Sequence, residues 1–116
     1  MSLVLYGIPN CNTVKKAIDW LKENEIAHTF HNFKKDGVSL AMLQEWSAQV
    51  GWETLLNKKG TTWRKLSPEQ QAAATNATYV LQLLLENPSM IKRPVVVLDG
   101  KILTVGFNPE ELQKLR

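Results

Sequence analysis

Leu3-Val4-Leu5-Tyr6-Gly7-Ile8-Pro9-Asn10-Cys11-Asn12-Thr13-Val14 is the stretch on which the fold turns. Its first four residues form a short apolar run closed by Gly7, with Pro9 just beyond, the pattern of a buried strand ending in a sharp turn. The period then changes. Val14, Ala17, Ile18 and Leu21 recur at i, i+3, i+4 and i+7, while Lys15, Lys16, Asp19, Lys22 and Glu23 fill the opposite face, so an amphipathic helix follows. Cys11 falls in the turn between the two, at the predicted helix N-terminus.

Working outward, residues 27–33 read as a second strand, with Thr29 and His31 alternating against His28, Phe30 and Asn32. Lys35-Asp36-Gly37 is a turn signal. Leu40, Leu43 and Trp46 then mark a helix with Ser39 as its N-cap, and Trp52, Leu55 and Leu56 suggest another short helical turn. Gly60-Thr61-Thr62-Trp63 reads as a loop. Ser67-Pro68-Glu69-Gln70 is a helix start, because Pro suits the first helical position and Gln70 can complete a capping box. Ala77, Val80, Leu81, Leu84 and Leu85 give the longest helical stripe, stopped near Asn87-Pro88.

Strands return at the end. Val95 to Leu98 is a β-branched run, Asp99-Gly100 is a hairpin turn, and Lys101 to Val105 pairs back. Asn108-Pro109-Glu110-Glu111 opens a last helix that buries Leu112 and Leu115. The order β-α-β, helices, β-β-α predicts an α/β fold: a four-stranded mixed sheet with flanking helices and an all-helical insertion. Residues 1–33 and 89–116 form the core of a single domain and 34–88 the insertion. A strand, a tight turn carrying Cys, then a helix is how a thioredoxin-like fold opens.

The totals agree with one such domain. The chain has 116 residues, 44% hydrophobic and 22% charged, enough to bury a core without staples. Its single cysteine cannot form an internal disulfide, so the fold does not depend on an oxidising compartment. No segment approaches the roughly 20 apolar residues that span a bilayer, and no basic stretch precedes Leu3. No membrane association is expected, and the cytoplasm is the expected location. The net charge of +3 is mild and arises from separated basic pairs such as Lys58-Lys59 and Lys92-Arg93 with acids between them. These read as solvated helix faces and loop tips rather than the concentrated basic stripe of a direct nucleic-acid binder.

Chemistry points to Cys11. Unpaired N–H groups and the positive dipole end of a helix start favour an anion, and a thiolate is one. Such placement lowers a thiol pKa from about 8.5 into the range of roughly 3.5 to 7.5. Asn10 and Asn12 make its surroundings polar, and Lys15 one turn on adds positive charge if it points inward. Position 14, where a Cys-x-x-Cys pair would carry its second thiol, is Val14, so any redox cycle needs an external thiol. Arg93-Pro94 enters the third strand; Arg93 offers a forked donor set suited to a carboxylate or oxyanion, and the X–Pro bond can be cis. His28 and His31 lie at odd spacing on one predicted strand, facing opposite sides, and read as structural; no metal site is expected. The Thr61-to-Arg64 segment either closes over a ligand near Cys11 or lets Trp63 plug the insertion.

Three separated segments, Tyr6-Gly7-Ile8-Pro9-Asn10-Cys11-Asn12-Thr13, Leu55-Leu56-Asn57-Lys58-Lys59-Gly60-Thr61-Thr62-Trp63-Arg64 and Lys92-Arg93-Pro94, resemble the arsenate reductase-like (ArsC/Spx) family, most closely its small YffB-type branch. The resemblance covers almost the whole chain. It implies a thioredoxin-like fold with a helical insertion, a catalytic Cys11 and a cis bond before Pro94. In arsenate reductases of the family the thiolate attacks arsenate, glutathione releases arsenite, and arginines hold the oxyanion. Arg93 matches one of them. Asn57 stands in place of a second, the Gly106-Phe107 region offers no third, and Gly7 stands where those enzymes carry a histidine. Spx regulators bind RNA polymerase and sense oxidation through a Cys-x-x-Cys pair, which Val14 removes.

The expectation that follows is a glutathione-dependent monothiol reductase. Cys11 and Arg93 are its catalytic residues, and Asn10, Asn12, Thr13, Lys15, Arg64 and Pro94 bind substrate or glutathione. Glutathione is then a co-substrate rather than a bound cofactor. The partners are a small thiol or oxidised substrate and, in one reading, a protein. Arsenate reduction and a non-catalytic Spx-like regulatory module are the alternatives.

Overall fold

The structure, a computed structural model, describes residues 2–116. In chain order its elements are β1 (Leu3–Gly7), α1 (Asn12–Glu23), β2 (Thr29–Asn32), α2 (Phe33–Asp36), α3 (Leu40–Val50), α4 (Trp52–Leu55), α5 (Thr61–Arg64) and α6 (Pro68–Ala73). These are followed by α7 (Ala77–Glu86), a 3₁₀ turn over Pro88–Met90, β3 (Val95–Leu98), β4 (Lys101–Val105), α8 (Pro109–Leu112) and a closing 3₁₀ turn over Gln113–Leu115. The chain divides into two compact units, one comprising Met1–Gly37 with Arg93–Arg116 and the other Val38–Lys92. These divisions fall a few residues later than the sequence suggested, at 37 rather than 33 and at 92 rather than 88.

The first unit is built on a sheet of order β2-β1-β3-β4, with β1 parallel to β2 and antiparallel to β3, and β3 antiparallel to β4. The register pairs Leu5 with both Phe30 and Val96, which sets these side chains on one face. There Leu3, Leu5 and Val96 join Ala17 and Leu21 of α1 and Leu112 of α8 in one buried cluster, with Ile18, Phe107 and Leu115 packed against it. Each such aliphatic side chain removed from water stabilises by about 1.5–3 kcal/mol. Asp99 (φ 50°) and Gly100 (φ 84°) close the β3–β4 hairpin as the expected two-residue turn. An irregularity in register between Val96 and Val97 leaves Leu103 as an extra residue on β4. This is the mixed sheet with flanking helices of the thioredoxin-like fold.

The second strand is shorter than expected. Asn32 Oδ1 accepts a hydrogen bond from the Lys34 N–H (2.9 Å), turning the chain into α2 so that the buried Phe33 opens a helix instead of closing a strand. His28 lies before β2 rather than within it. Its Nδ1 donates to the Ile26 carbonyl (2.9 Å), as His31 Nε2 does to that of Gly37 (2.8 Å); a carbonyl can only accept, so those nitrogens carry the protons.

The second unit is helical. Leu43, Trp46, Leu55, Val80 and Leu84 are buried. Ser39 and Ser67 cap α3 and α6 as read, the latter through a complete capping box with Gln70. The start at Ser67 and the stripe from Ala77 belong to two helices. The break at Ala74–Asn76 comes with Asn76, whose side chain accepts from the Tyr79 N–H (2.9 Å) and so starts α7 anew. The segment expected to be a loop is the one-turn helix α5, in which the Lys65 N–H returns to Thr61 O. A single turn leaves no periodicity to read. Ties of strand character join residues 55–57 to 90–92: Leu56 bridges Ile91, Lys92 N–H donates to Leu55 O (2.7 Å) and Asn57 N–H to Met90 O (2.9 Å).

Candidate functional site

β1 delivers the chain to the Ile8–Asn10 turn, and α1 begins at once. Cys11 is the N-cap of α1, with extended backbone angles (φ −134°, ψ 121°), and its carbonyl accepts the Lys15 N–H (3.0 Å). Asn12, Thr13 and Val14 are therefore the first three helical residues. The N–H groups of the second and third have no intrahelical partner, and an N-cap side chain ordinarily accepts from them. The Cys11 side chain makes no cap hydrogen bond of ordinary geometry. As a thiolate it is an acceptor at the positive end of twelve residues of helix.

Sheet topology brings the second participant. Because β3 lies beside β1, with Val95 opposite Tyr6, residues 93 and 94 arrive next to the end of β1. The Arg93–Pro94 peptide bond is cis, and the Pro94 carbonyl accepts the Gly106 N–H (2.7 Å). Arg93 hydrogen-bonds the Cys11 sulfur through its side chain and adds its charge.

These influences oppose one another. Burial pushes the Cys11 thiol up. Against it act the Val14 N–H, the Arg93 side chain, the Thr13 N–H and the Arg93 charge, and together they outweigh burial and hold the thiol below its ordinary value. Cys11 is only half-buried. A partly exposed thiolate held by helix-start amides and a guanidinium is the environment of a reactive rather than a structural cysteine.

Thus Cys11, Thr13 and Arg93 come together, with Pro94 buried beside Arg93. Asn10 and Asn12 flank the sulfur in sequence and are exposed. Lys15 contributes the first helical backbone bond and its side chain is exposed; the charge acting on Cys11 is that of Arg93. Arg64 is the exposed last residue of α5, in the helical unit. Within that unit Trp63 is half-buried, with Lys58 Nζ 5.4 Å from its ring centre and its carbonyl accepting from Gln71 Nε2 (2.9 Å). Asn57 Oδ1 accepts the Lys59 N–H (3.0 Å), shaping the turn there. Lys58 and Lys59, read as dispersed charges, line with Lys92 and Trp52 a cavity of about 370 Å³ in the helical unit.

Two residues of the site escaped the sequence reading. Val14 entered as the first residue of the apolar stripe and as a missing cysteine, Gly7 as the end of the first strand and as a missing histidine; neither was given a part in holding the sulfur. The signal for Val14 was its place three residues after Cys11, the position whose amide an N-cap side chain meets. Nothing in the sequence reveals how closely it approaches Gly7.

A protein-family model described as the ArsC family matches residues 6–115. The chain belongs to the ArsC family. Its relatives include Global transcriptional regulator Spx 2 of Bacillus anthracis, 31% identical, the match covering 97% of this chain and 85% of that one. Among solved structures it is similar to a YFFB protein, with a TM-score of 0.91 and 44% identity over 97% of each chain. It is also similar to an arsenate reductase (ArsC) related protein from Brucella melitensis, with a TM-score of 0.80 and 44% identity over 98% of this chain and 93% of that one. This ArsC-family chain therefore combines the family's thioredoxin-like sheet with one cysteine at the start of α1. Among the described residues no helix is long and apolar enough to cross a membrane.

Proposed function

We propose that the protein is a glutathione-dependent thiol reductase that works through Cys11 alone. What carries this reading is the thiolate-favouring environment of Cys11, produced by the Val14 and Thr13 amides and by Arg93. The thiolate attacks one sulfur of a disulfide R–S–S–R′. The S–S bond breaks, R′–S⁻ leaves and takes a proton from water, and Cys11 is held as a mixed disulfide with R. Without a second cysteine in the chain, a glutathione thiolate attacks the R sulfur, which expels the Cys11 thiolate and yields R–S–S–glutathione. Two electrons pass from thiol to disulfide overall. Arg93 steadies the leaving thiolate or a glutathione carboxylate, and the backbone beside Pro94, with Asn10, Asn12 and Thr13, receives the peptide-like ligand. Arg64 is a further candidate for a ligand carboxylate.

The test is the pH dependence of Cys11 alkylation with and without glutathione. An apparent pKa well below about 8.5, with glutathione protecting Cys11 or forming a mixed disulfide, is expected. Arg93→Ala should weaken the glutathione effect, and Cys11→Ser should abolish turnover. An ordinary pKa and indifference to glutathione would sink the reading.

The similarity to a global transcriptional regulator favours a second reading, a module that binds a protein partner without catalysis. It gains if partner capture survives Cys11→Ser. Arsenate reduction is the third, resting on one matched arginine, Arg93. It gains only if arsenate raises the melting temperature.

A further inference from the structure

Gly7 is the last residue of β1 and is buried. A Cβ placed on it would stand 2.8 Å from Val14 Cγ2, a separation that carbon atoms do not adopt, while Arg93 Cβ (3.6 Å) and the Phe30 ring (3.8 Å) would be in ordinary contact. The methyl group of Val14 thus occupies the place where any other residue at position 7 would carry its side chain. Val14 cannot step aside by rotating, because it is 1% exposed and a helical valine keeps one strongly preferred χ1 rotamer. The end of β1 and the first turn of α1 must therefore separate, and the Val14 N–H in that turn is one of the groups that act on the Cys11 sulfur.

We propose that Gly7 is a positioning residue for Cys11: the absence of a side chain at the end of β1 seats Val14, and the seated Val14 places its amide under the sulfur. A branched residue at position 14 is compatible only with glycine at position 7. The pair sets the reactivity of the thiol through the backbone of Val14, without a side-chain contact to the sulfur. This concerns the thiol itself and does not rest on the reductase reading; it is tested without turnover.

The experiment is the pH profile of Cys11 alkylation in Gly7→Ala, Val14→Ala and the double variant. Gly7→Ala should slow alkylation at pH 6–7 by about three- to tenfold, the consequence of weakening one hydrogen bond to a charged group, and should move the profile to higher pH. Val14→Ala keeps the amide and removes the Cγ atoms, so its profile stays near that of the parent. The double variant should regain the parent profile, because the new methyl group meets only ordinary contacts once Cγ2 is gone. An unchanged profile in Gly7→Ala, or a double variant as slow as Gly7→Ala, would overturn the proposal. Should Gly7→Ala fail to fold, the double variant must fold and match Val14→Ala; failure of either condition overturns it equally.

Discussion

Three helix starts of the helical unit, those of α3, α6 and α7, and the start of α1 solve the same problem with different atoms. At α3, α6 and α7 the oxygens of Ser39, Ser67 and Asn76 accept a backbone N–H of the first turn, as those of Asn32 and Asn108 do at α2 and α8. At α1 the cap is Cys11, whose side chain makes no such bond. A hydroxyl or amide cap is satisfied once and for all, and its only product is helix stability. A thiol cap leaves the amides of Thr13 and Val14 available for a charge that appears only on deprotonation. The first turn of α1 therefore forgoes a stabilising cap of about 1 kcal/mol and gains a nucleophile.

The sharpest break in this comparison would come from the cores. Leu5 of the sheet unit and Leu84 of the helical unit are both fully buried, so truncation of either to Ala should cost about 2–5 kcal/mol of stability. Every influence named on Cys11 belongs to the sheet unit. Leu84→Ala, followed by denaturant unfolding and by the alkylation profile under native conditions, should lower the first and leave the second unchanged. A shifted profile would show that the helical unit also tunes the thiol.

A smaller effect sharpens the contrast between caps. Asn76→Ala removes the acceptor for the Tyr79 N–H and should cost about 1 kcal/mol at every pH where the protein is folded, since nothing at that cap titrates. Chemical denaturation at pH 6 and pH 9 should give the same loss. A loss that grew with pH would remove the distinction between an oxygen cap and a sulfur cap.

What the sequence made legible follows the length and regularity of each element. Leu3 to Gly7 and the Val14–Leu21 stripe are long enough to show their period, and Asp99-Gly100 announces its turn by residue type, so the sheet and the position of Cys11 could be read. The one-turn helix α5 is too short to show a period, and the end of β2 at Asn32 and the break before Asn76 depend on single side chains bonding the backbone nearby, so a periodicity argument passes over all three. At the site, Cys11 and Arg93 were legible from residue type. The contact between Gly7 and Val14 was not, because it arises where a strand end meets a helix start, and its only mark in the sequence is an absent side chain.

The smallest effect follows from the direction in which the Cys11 thiol is displaced. Its pKa in the folded protein lies below the ordinary value, which the unfolded chain has at about 8.5. Folding therefore favours the thiolate. The linked stabilisation is fully present above the unfolded pKa, fades as the pH falls through the folded pKa, and is absent below both. In Cys11→Ser this contribution is lost, while any change in packing is the same at all pH values. The difference in melting temperature between parent and variant should widen from pH 5 to pH 9, modestly, because the sulfur is partly exposed and its interactions are screened. Gly7→Ala, by raising the folded pKa toward the unfolded one, should flatten that slope. A difference that stayed constant with pH would mean that the amides of Thr13 and Val14 serve the helix alone, as the partners of Ser39, Ser67 and Asn76 do.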